Sequence, residues 1–131
     1  MFLTVWDWLL PISVGLFAGV LISTRKRVDL TQLVTLDPEE FRLNMRKGQL
    51  VDIRKEEDYK KSKVNGSRNF PKRSIFSQIH KMRKDQAVFI IGSVKGINPK
   101  SVAKKLIKKG FRPVYILRGG IENWPFILKE E

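Results

Sequence analysis

Along the chain, apolar positions first form one long block and then break into short runs. Residues 2–23, "FLTVWDWLLPISVGLFAGVLIS", carry a single charge, Asp7. About 20 apolar residues cross the hydrocarbon core of a bilayer at ~1.5 Å per residue, so residues 1–23 are expected to form one transmembrane helix. Beyond residue 30, "LVT" (33–35), "QLVDI" (49–53), "AVFII" (87–91) and "PVYIL" (113–117) read as strands, and the last two have the continuous apolar run of a strand buried on both faces. Helical stretches separate them. In "LDPEEFRLNMRKG", Asp37 suits the N-cap, Pro38 the first helical position, Glu40 a capping box and Gly48 the position past the end. "KEEDYKKS" (55–62) predicts a short helix, and "NGSRNFP" (65–71) a turn followed by an extended piece. Ile75, Phe76, Ile79 and Met82 share one helical face, with His80 off it. Asn98 and Pro99 open a further helix with Val102, Ala103, Leu106 and Ile107 inside and Lys104, Lys105, Lys108 and Lys109 outside; Gly110 ends it. "GGIENW" predicts a turn and a last short helix. Strands alternating with helices mean an α/β domain with a mainly parallel sheet.

Charge adds direction to this layout. The 131 residues hold 26 Lys and Arg against 13 Asp and Glu, a net +13. All 26 bases follow residue 24 and only Asp7 among the acids precedes it, so the remainder carries 26 bases against 12 acids, a net +14. Such an excess implies an acidic partner: a phospholipid surface, a nucleic acid or an acidic protein. Arg25, Lys26 and Arg27 directly follow the apolar block, while Trp6 and Trp8 mark its other end. The positive end faces the cytoplasm by the charge rule for single spans, which leaves the N-terminus outside. A cleaved signal peptide would have the opposite charge order and a small-residue cleavage site. The expected organisation is therefore an anchor at 1–23, a basic juxtamembrane linker at 24–30, a domain at 31–127 and a frayed tail at 128–131.

Candidate chemistry is limited by what is missing. Cysteine is absent and histidine occurs once, so the chain supplies no thiolate nucleophile, no persulfide, no disulfide and no His-rich metal site. No metal or cofactor is expected. The loop "SVKGIN", comprising Ser93, Val94, Lys95, Gly96, Ile97 and Asn98, joins a buried strand to a helix, a layout that aims backbone N–H groups at one point and can hold an anion. The competing reading is a plain turn, since Asn98 can satisfy a free helix N–H and Pro99 has none to offer.

From Leu50 onward, "LVDIRKEEDY", "VNGSRNFP" and "GFRPVYILRGGIENW" resemble, in order, the motifs of the rhodanese-like domain family. The resemblance spans about residues 31–127. With an anchor in front, the chain is similar to small single-span rhodanese-like proteins of Gram-positive bacteria. Members that transfer sulfur carry a Cys-x-x-Gly-x-Arg loop. Counting back from Gly110 and Phe111, Ser93 stands at the cysteine, Gly96 at the glycine and Asn98 at the arginine. Ser62 and Lys63 replace a usual Gly-His pair. The resemblance thus implies the rhodanese fold without its nucleophile. Asp52, Arg54, Gly119, Gly120 and Trp124 fall on the family's structural motifs. An exposed pair of Arg54 with Glu57 or Asp58 would contribute ~0.5 kcal/mol, Gly119-Gly120 suits a tight turn, and Trp124 suits a core plug.

The expected function is a membrane-anchored, catalytically inactive module that binds a protein partner or a small anion at the cytoplasmic face, near anionic headgroups. The alternative is a component of a sulfur relay that borrows a partner's cysteine. Nucleic-acid binding is not expected: the isoelectric point of about 10.3 stands without a recognition motif or interleaved aromatics.

Overall fold

The computed structural model describes residues 30–130. The anchor expected at 1–23 and its flanking Arg25, Lys26 and Arg27 lie outside the described residues. Among the described residues, no helix is long and apolar enough to cross a membrane.

Five parallel strands form the central sheet in the order β1-β6-β5-β2-β4. They are β1 (Leu33–Leu36), β2 (Gln49–Asp52), β4 (Arg68–Asn69), β5 (Val88–Ile91) and β6 (Val114–Leu117). Leu33 pairs with Val114, Val88 with Val114 and Gln49 with Val88, so these strands begin level with one another. Two further strands, β3 (Ser62–Lys63) and β7 (Lys129–Glu130), form an antiparallel pair. Lys129 and Glu130, in the end expected to fray, are instead paired with Lys63 and Ser62.

Alternating residues of the strands feed two cores. On one face Val51, Val88, Ile90, Val114 and Ile116 pack with Val102, Ala103, Leu106 and Ile107 of the longest helix, α3 (Pro99–Lys108). On the other, Leu50, Phe89, Ile91 and Leu117 pack with Trp124 and with Phe41 of α1 (Pro38–Asn44). Phe41 meets Phe89 and Trp124 edge-on, with ring centroids 5.5 and 6.1 Å apart. Burial on both faces explains the unbroken apolar runs in β5 and β6. The remaining helix, α2 (Glu56–Lys61), follows β2.

Three local expectations are corrected. Residues 75–82 form two separate 3-10 turns, Ile75–Ser77 and Ile79–Lys81, rather than an α-helix. Ser74 and Ser77 bond nearby carbonyls through their hydroxyls, which competes with a helical ladder. The burial expectation survives: Ile75 and Met82 are buried, Phe76 and Ile79 pack against the core, and His80 is exposed. Gly48 does not close α1 in a left-handed conformation. Its φ is −152°, a 3-10 turn (Met45–Lys47) intervenes, and glycine is needed because a Cβ would lie 2.4 Å from the Ala87 carbonyl oxygen. Asp37 sits at the N-cap without a side-chain cap bond; its carboxylate pairs with Arg118 at 2.9 Å.

Candidate functional site

At the carboxyl ends of the strands, where open α/β sheets place their ligands, three segments converge: the loop after β5, the turn after β6 and the segment between β2 and α2. The loop is closed on itself. Ser93 N–H donates to the Ile97 carbonyl at 3.2 Å. Gly96 takes a φ of +88°, which lets the chain reverse. Asn98 then caps α3, its side-chain oxygen accepting from Lys100 N–H at 2.9 Å. Ser93 and Ile97 are half-buried; Val94, Lys95, Gly96 and Asn98 are exposed.

The turn after β6 is pressed against this loop. Ile121 N–H donates to the Gly92 carbonyl at 3.0 Å. Gly120 has a φ of +67°, and a Cβ there would lie 2.9 Å from the Gly92 oxygen and 3.0 Å from Ser93 Cα. Gly119 and Gly120 thus form the expected tight turn, and the tightness brings Glu122 to the loop. The Ser93 hydroxyl donates to one Glu122 carboxylate oxygen, and Val94 N–H donates to the other at 3.2 Å. Lys95 N–H donates to Ser93 Oγ at 3.1 Å. The donors at the start of the loop are answered by a carboxylate from the same chain.

Electrostatics keep that carboxylate charged. Burial is the largest single influence on Glu122 and pushes its pKa up. The Ser93 hydroxyl, the backbone N–H groups of Glu122 and Val94, and the Lys95 charge together outweigh it, so the carboxyl is held below its ordinary range. A carboxylate that weakly basic is a poor general base for a serine hydroxyl. His80, in the turn Ile79–Lys81, is exposed, and Ser93 already donates to Glu122. Among the described residues, Ser93 Oγ meets Glu122 and Lys95 N–H and no histidine that could act as its base.

The third segment corrects the expected partner of Arg54. Arg54 does not reach Glu57 or Asp58 at the surface but forks onto Asp52 inside the protein. Its Nε lies 3.1 and 3.0 Å from the two Asp52 carboxylate oxygens, and Nη2 lies 2.9 Å from the second. Nη2 also donates to the Ser62 carbonyl at 2.6 Å. Asp52 is fully buried and Arg54 nearly so. The pair pins the strand end to the residue that begins β3, and Arg54 becomes a wall of the site. A cleft of about 450 Å³ opens there, lined by Arg54, Lys61, Ser93, Lys95, Ile121 and Glu122. Trp124 closes the underside as a core plug, 8% exposed, and its indole N–H finds no partner among the described residues. No group of three or more His, Asp or Glu among the described residues is placed to hold a metal.

The sequence reading gave Asn98 as the helix cap, Gly119 and Gly120 as a tight turn and Trp124 as a core plug, but missed Glu122 and its bond to Ser93. One signal was available: Glu122 is the single acid between Gln86 and Leu128, directly after the paired glycines.

Comparison with known proteins agrees with this geometry. The model of the Rhodanese-like domain family matches residues 37–125. The Bacillus subtilis (strain 168) protein YqhL is 31% identical over 90 residues, covering 69% of this chain and 71% of its own. Thiosulfate sulfurtransferase GlpE of Pseudomonas paraeruginosa is 34% identical over 88 residues, covering 66% and 79%. The crystal structure of SSP1007 from Staphylococcus saprophyticus superposes with a TM-score of 0.66 at 17% identity, over 74% of this chain and 99% of that one. With an α/β parallel sheet, the loop after β5 and the paired-glycine turn all in the expected order, the chain belongs to the rhodanese-like domain family.

Proposed function

We propose that this chain is a catalytically silent, membrane-anchored rhodanese-like module that works by binding a protein partner at the cytoplasmic face of the membrane. One observation carries the reading: the chain has no cysteine, and Ser93, which the resemblance sets at the cysteine's place, has its hydroxyl engaged by Glu122. A serine oxygen forms no persulfide, and the site lacks a base to make it a nucleophile. The same carboxylate weighs against a small anion. A sulfate or thiosulfate entering the loop would have to displace Glu122 from Ser93 and Val94. The anchor rests on residues 2–23 with their single charge and on Arg25, Lys26 and Arg27.

The test uses the full chain purified in detergent. Incubated with thiosulfate and cyanide it yields no thiocyanate above buffer, and thiosulfate produces no saturable shift of the loop amide resonances. Turnover by the natural sequence would overturn the silent reading. Retention of the chain in membranes through alkaline carbonate washing supports the anchor, and release into the wash removes it.

The second reading, a sulfur-relay component using a partner's cysteine, is favoured by the relative named thiosulfate sulfurtransferase. It requires that a thiol-bearing partner and this chain together transfer sulfur that neither transfers alone.

A further inference from the structure

The end of the sheet opposite the candidate site has a charge pattern of its own. The strands are parallel and begin level, so the segments leading into β2, β5 and β6 sit side by side. Residues 43–49, 81–88 and 108–114 make up this pole, together with the end of α3. They contain eight bases and one acid, Asp85. Asp85 is spoken for: Arg83 forks onto it at 3.0 and 2.7 Å. Arg46, Lys47, Lys81, Lys84, Lys108, Lys109 and Arg112 remain as exposed cations with no carboxylate partner among the described residues. Lys84 lies over the Phe111 ring at 5.8 Å, which joins the start of β5 to the end of α3.

The same pole receives the N-terminal part of the chain. β1 starts at Leu33, opposite Val114 and two residues from Arg112. Twenty-nine residues precede the described chain, and the apolar block ends at Ser23. Seven residues separate Ser23 from Leu30 when Leu30 is counted, and at ~3.5 Å each they reach about 25 Å at most. A domain on so short a tether stays close to the leaflet, and the pole where the tether arrives is the basic one.

We infer that the amino-terminal pole of the sheet, with Arg46, Lys47, Lys84, Lys108, Lys109 and Arg112, docks on the anionic headgroups of the leaflet that anchors the chain. The inference rests on the anchored reading above and adds an orientation to it. The candidate site at the opposite, carboxyl pole faces away from the bilayer and stays open to a cytoplasmic protein. Each base near an anionic surface strengthens attachment about fivefold, and the effect fades within a Debye length of roughly 8 Å at physiological salt.

Because the chain has no cysteine, a single introduced thiol takes a label without ambiguity. The full chain is reconstituted into nanodiscs of phosphatidylcholine, with or without phosphatidylglycerol. A fluorophore is placed on Leu43→Cys at the amino pole or on Ser101→Cys at the start of α3, and headgroup-linked acceptors report distance. The expected result is closer approach of the Leu43 position than of the Ser101 position on anionic discs only, lost in high salt. Changing Lys84, Lys108, Lys109 and Arg112 together to Gln lowers the docked-to-undocked ratio on the order of a hundredfold or more. These side chains are exposed, and circular dichroism confirms that the variant folds. Equal distances for the two labels on anionic discs overturn the orientation while leaving the anchor intact. A chain that fails to enter neutral discs overturns both. If single-stranded RNA, rather than anionic lipid, engages the basic pole, the lipid assignment is wrong.

Discussion

Replacing Ser93 by cysteine puts a thiol where the family resemblance sets the nucleophile, and the structure predicts that it stays nearly inert. The new thiol would stand in hydrogen-bonding contact with the Glu122 carboxylate, as the serine hydroxyl does. Ionising it sets two negative charges beside each other. At 4 Å such a pair repels by about 1 kcal/mol in bulk water and ~4 kcal/mol at an effective dielectric of 20. Glu122 is exposed to solvent, so the lower part of that range applies, about 1–2 kcal/mol. One pKa unit corresponds to ~1.4 kcal/mol, which moves the thiol from about 8.5 to roughly 9.5. Near neutral pH its thiolate fraction falls about tenfold. Val94 N–H, a donor that could stabilise the sulfur anion, is also held by Glu122.

The assay is the pH dependence of alkylation by iodoacetamide, in which every event reports this one thiol because the natural chain has none. Ser93→Cys titrates about one unit above an ordinary cysteine. Ser93→Cys combined with Glu122→Gln returns to the ordinary value or below it, and its alkylation rate near neutrality rises about tenfold. Thiosulfate:cyanide turnover follows the same order. A Ser93→Cys thiol that titrates at or below the ordinary range with Glu122 in place would refute the claim that Glu122 governs the loop's electrostatics.

Three further outcomes follow from the same contacts. Arg54→Ala leaves the fully buried Asp52 carboxylate without its guanidinium and costs about 3–5 kcal/mol in urea unfolding, with Arg54→Lys recovering less than half because lysine has no fork; a loss under about 1 kcal/mol refutes the structural role. Trp124→Phe stays within about 1–1.5 kcal/mol of the natural chain, since the indole N–H it deletes is buried without a partner among the described residues, whereas Trp124→Ala costs about 3–5 kcal/mol; equal losses would mean the N–H matters after all. Glu122, whose folded pKa is depressed, contributes to loop stability above the carboxyl range of the unfolded chain and loses that contribution as pH falls through its folded value. NMR titration should place it below an ordinary glutamate and move it upward in Ser93→Ala; no movement removes the hydroxyl as a cause.

Elements whose signals are local were legible in the sequence. α3 could be read from residue 98 to 110 because its cap, its proline, its apolar stripe and its closing glycine all act within a few residues. β5 and β6 were legible because burial on both faces leaves an unbroken apolar run. Residues 75–82 misled because periodicity reports which side chains are buried, not which hydrogen-bond ladder holds them. Ile75 and Met82 are buried as expected, on two 3-10 turns. Gly48 misled for a related reason. The restriction comes from Ala87, 39 positions away in the chain, and no local rule contains it. Asp52–Arg54 and Ser93–Glu122 were hidden to different degrees. The first pair is two residues apart, yet its burial depends on the whole sheet edge; the second spans 29 residues and needs the fold to bring two loops together.

A loop without its nucleophile does not have to unravel, and this one shows why in terms of backbone chemistry. Backbone polar groups at the carboxyl end of the sheet take partners whether or not a reaction occurs there. Here Ile97 takes the Ser93 N–H, Glu122 takes the Val94 N–H, Ser93 Oγ takes the Lys95 N–H and Asn98 takes the Lys100 N–H. The serine that cannot carry sulfur is thus part of the hydrogen-bond set that shapes the loop. Its hydroxyl donates a hydrogen bond to Glu122 and accepts one from Lys95 N–H, which uses the donor and acceptor capacity a thiol provides only weakly. Shape at the carboxyl pole is therefore maintained independently of catalysis. A surface of fixed shape with Lys61 and Lys95 beside Glu122 suits the docking role proposed for this chain, and the proposed attachment through the opposite, basic pole would leave that surface open.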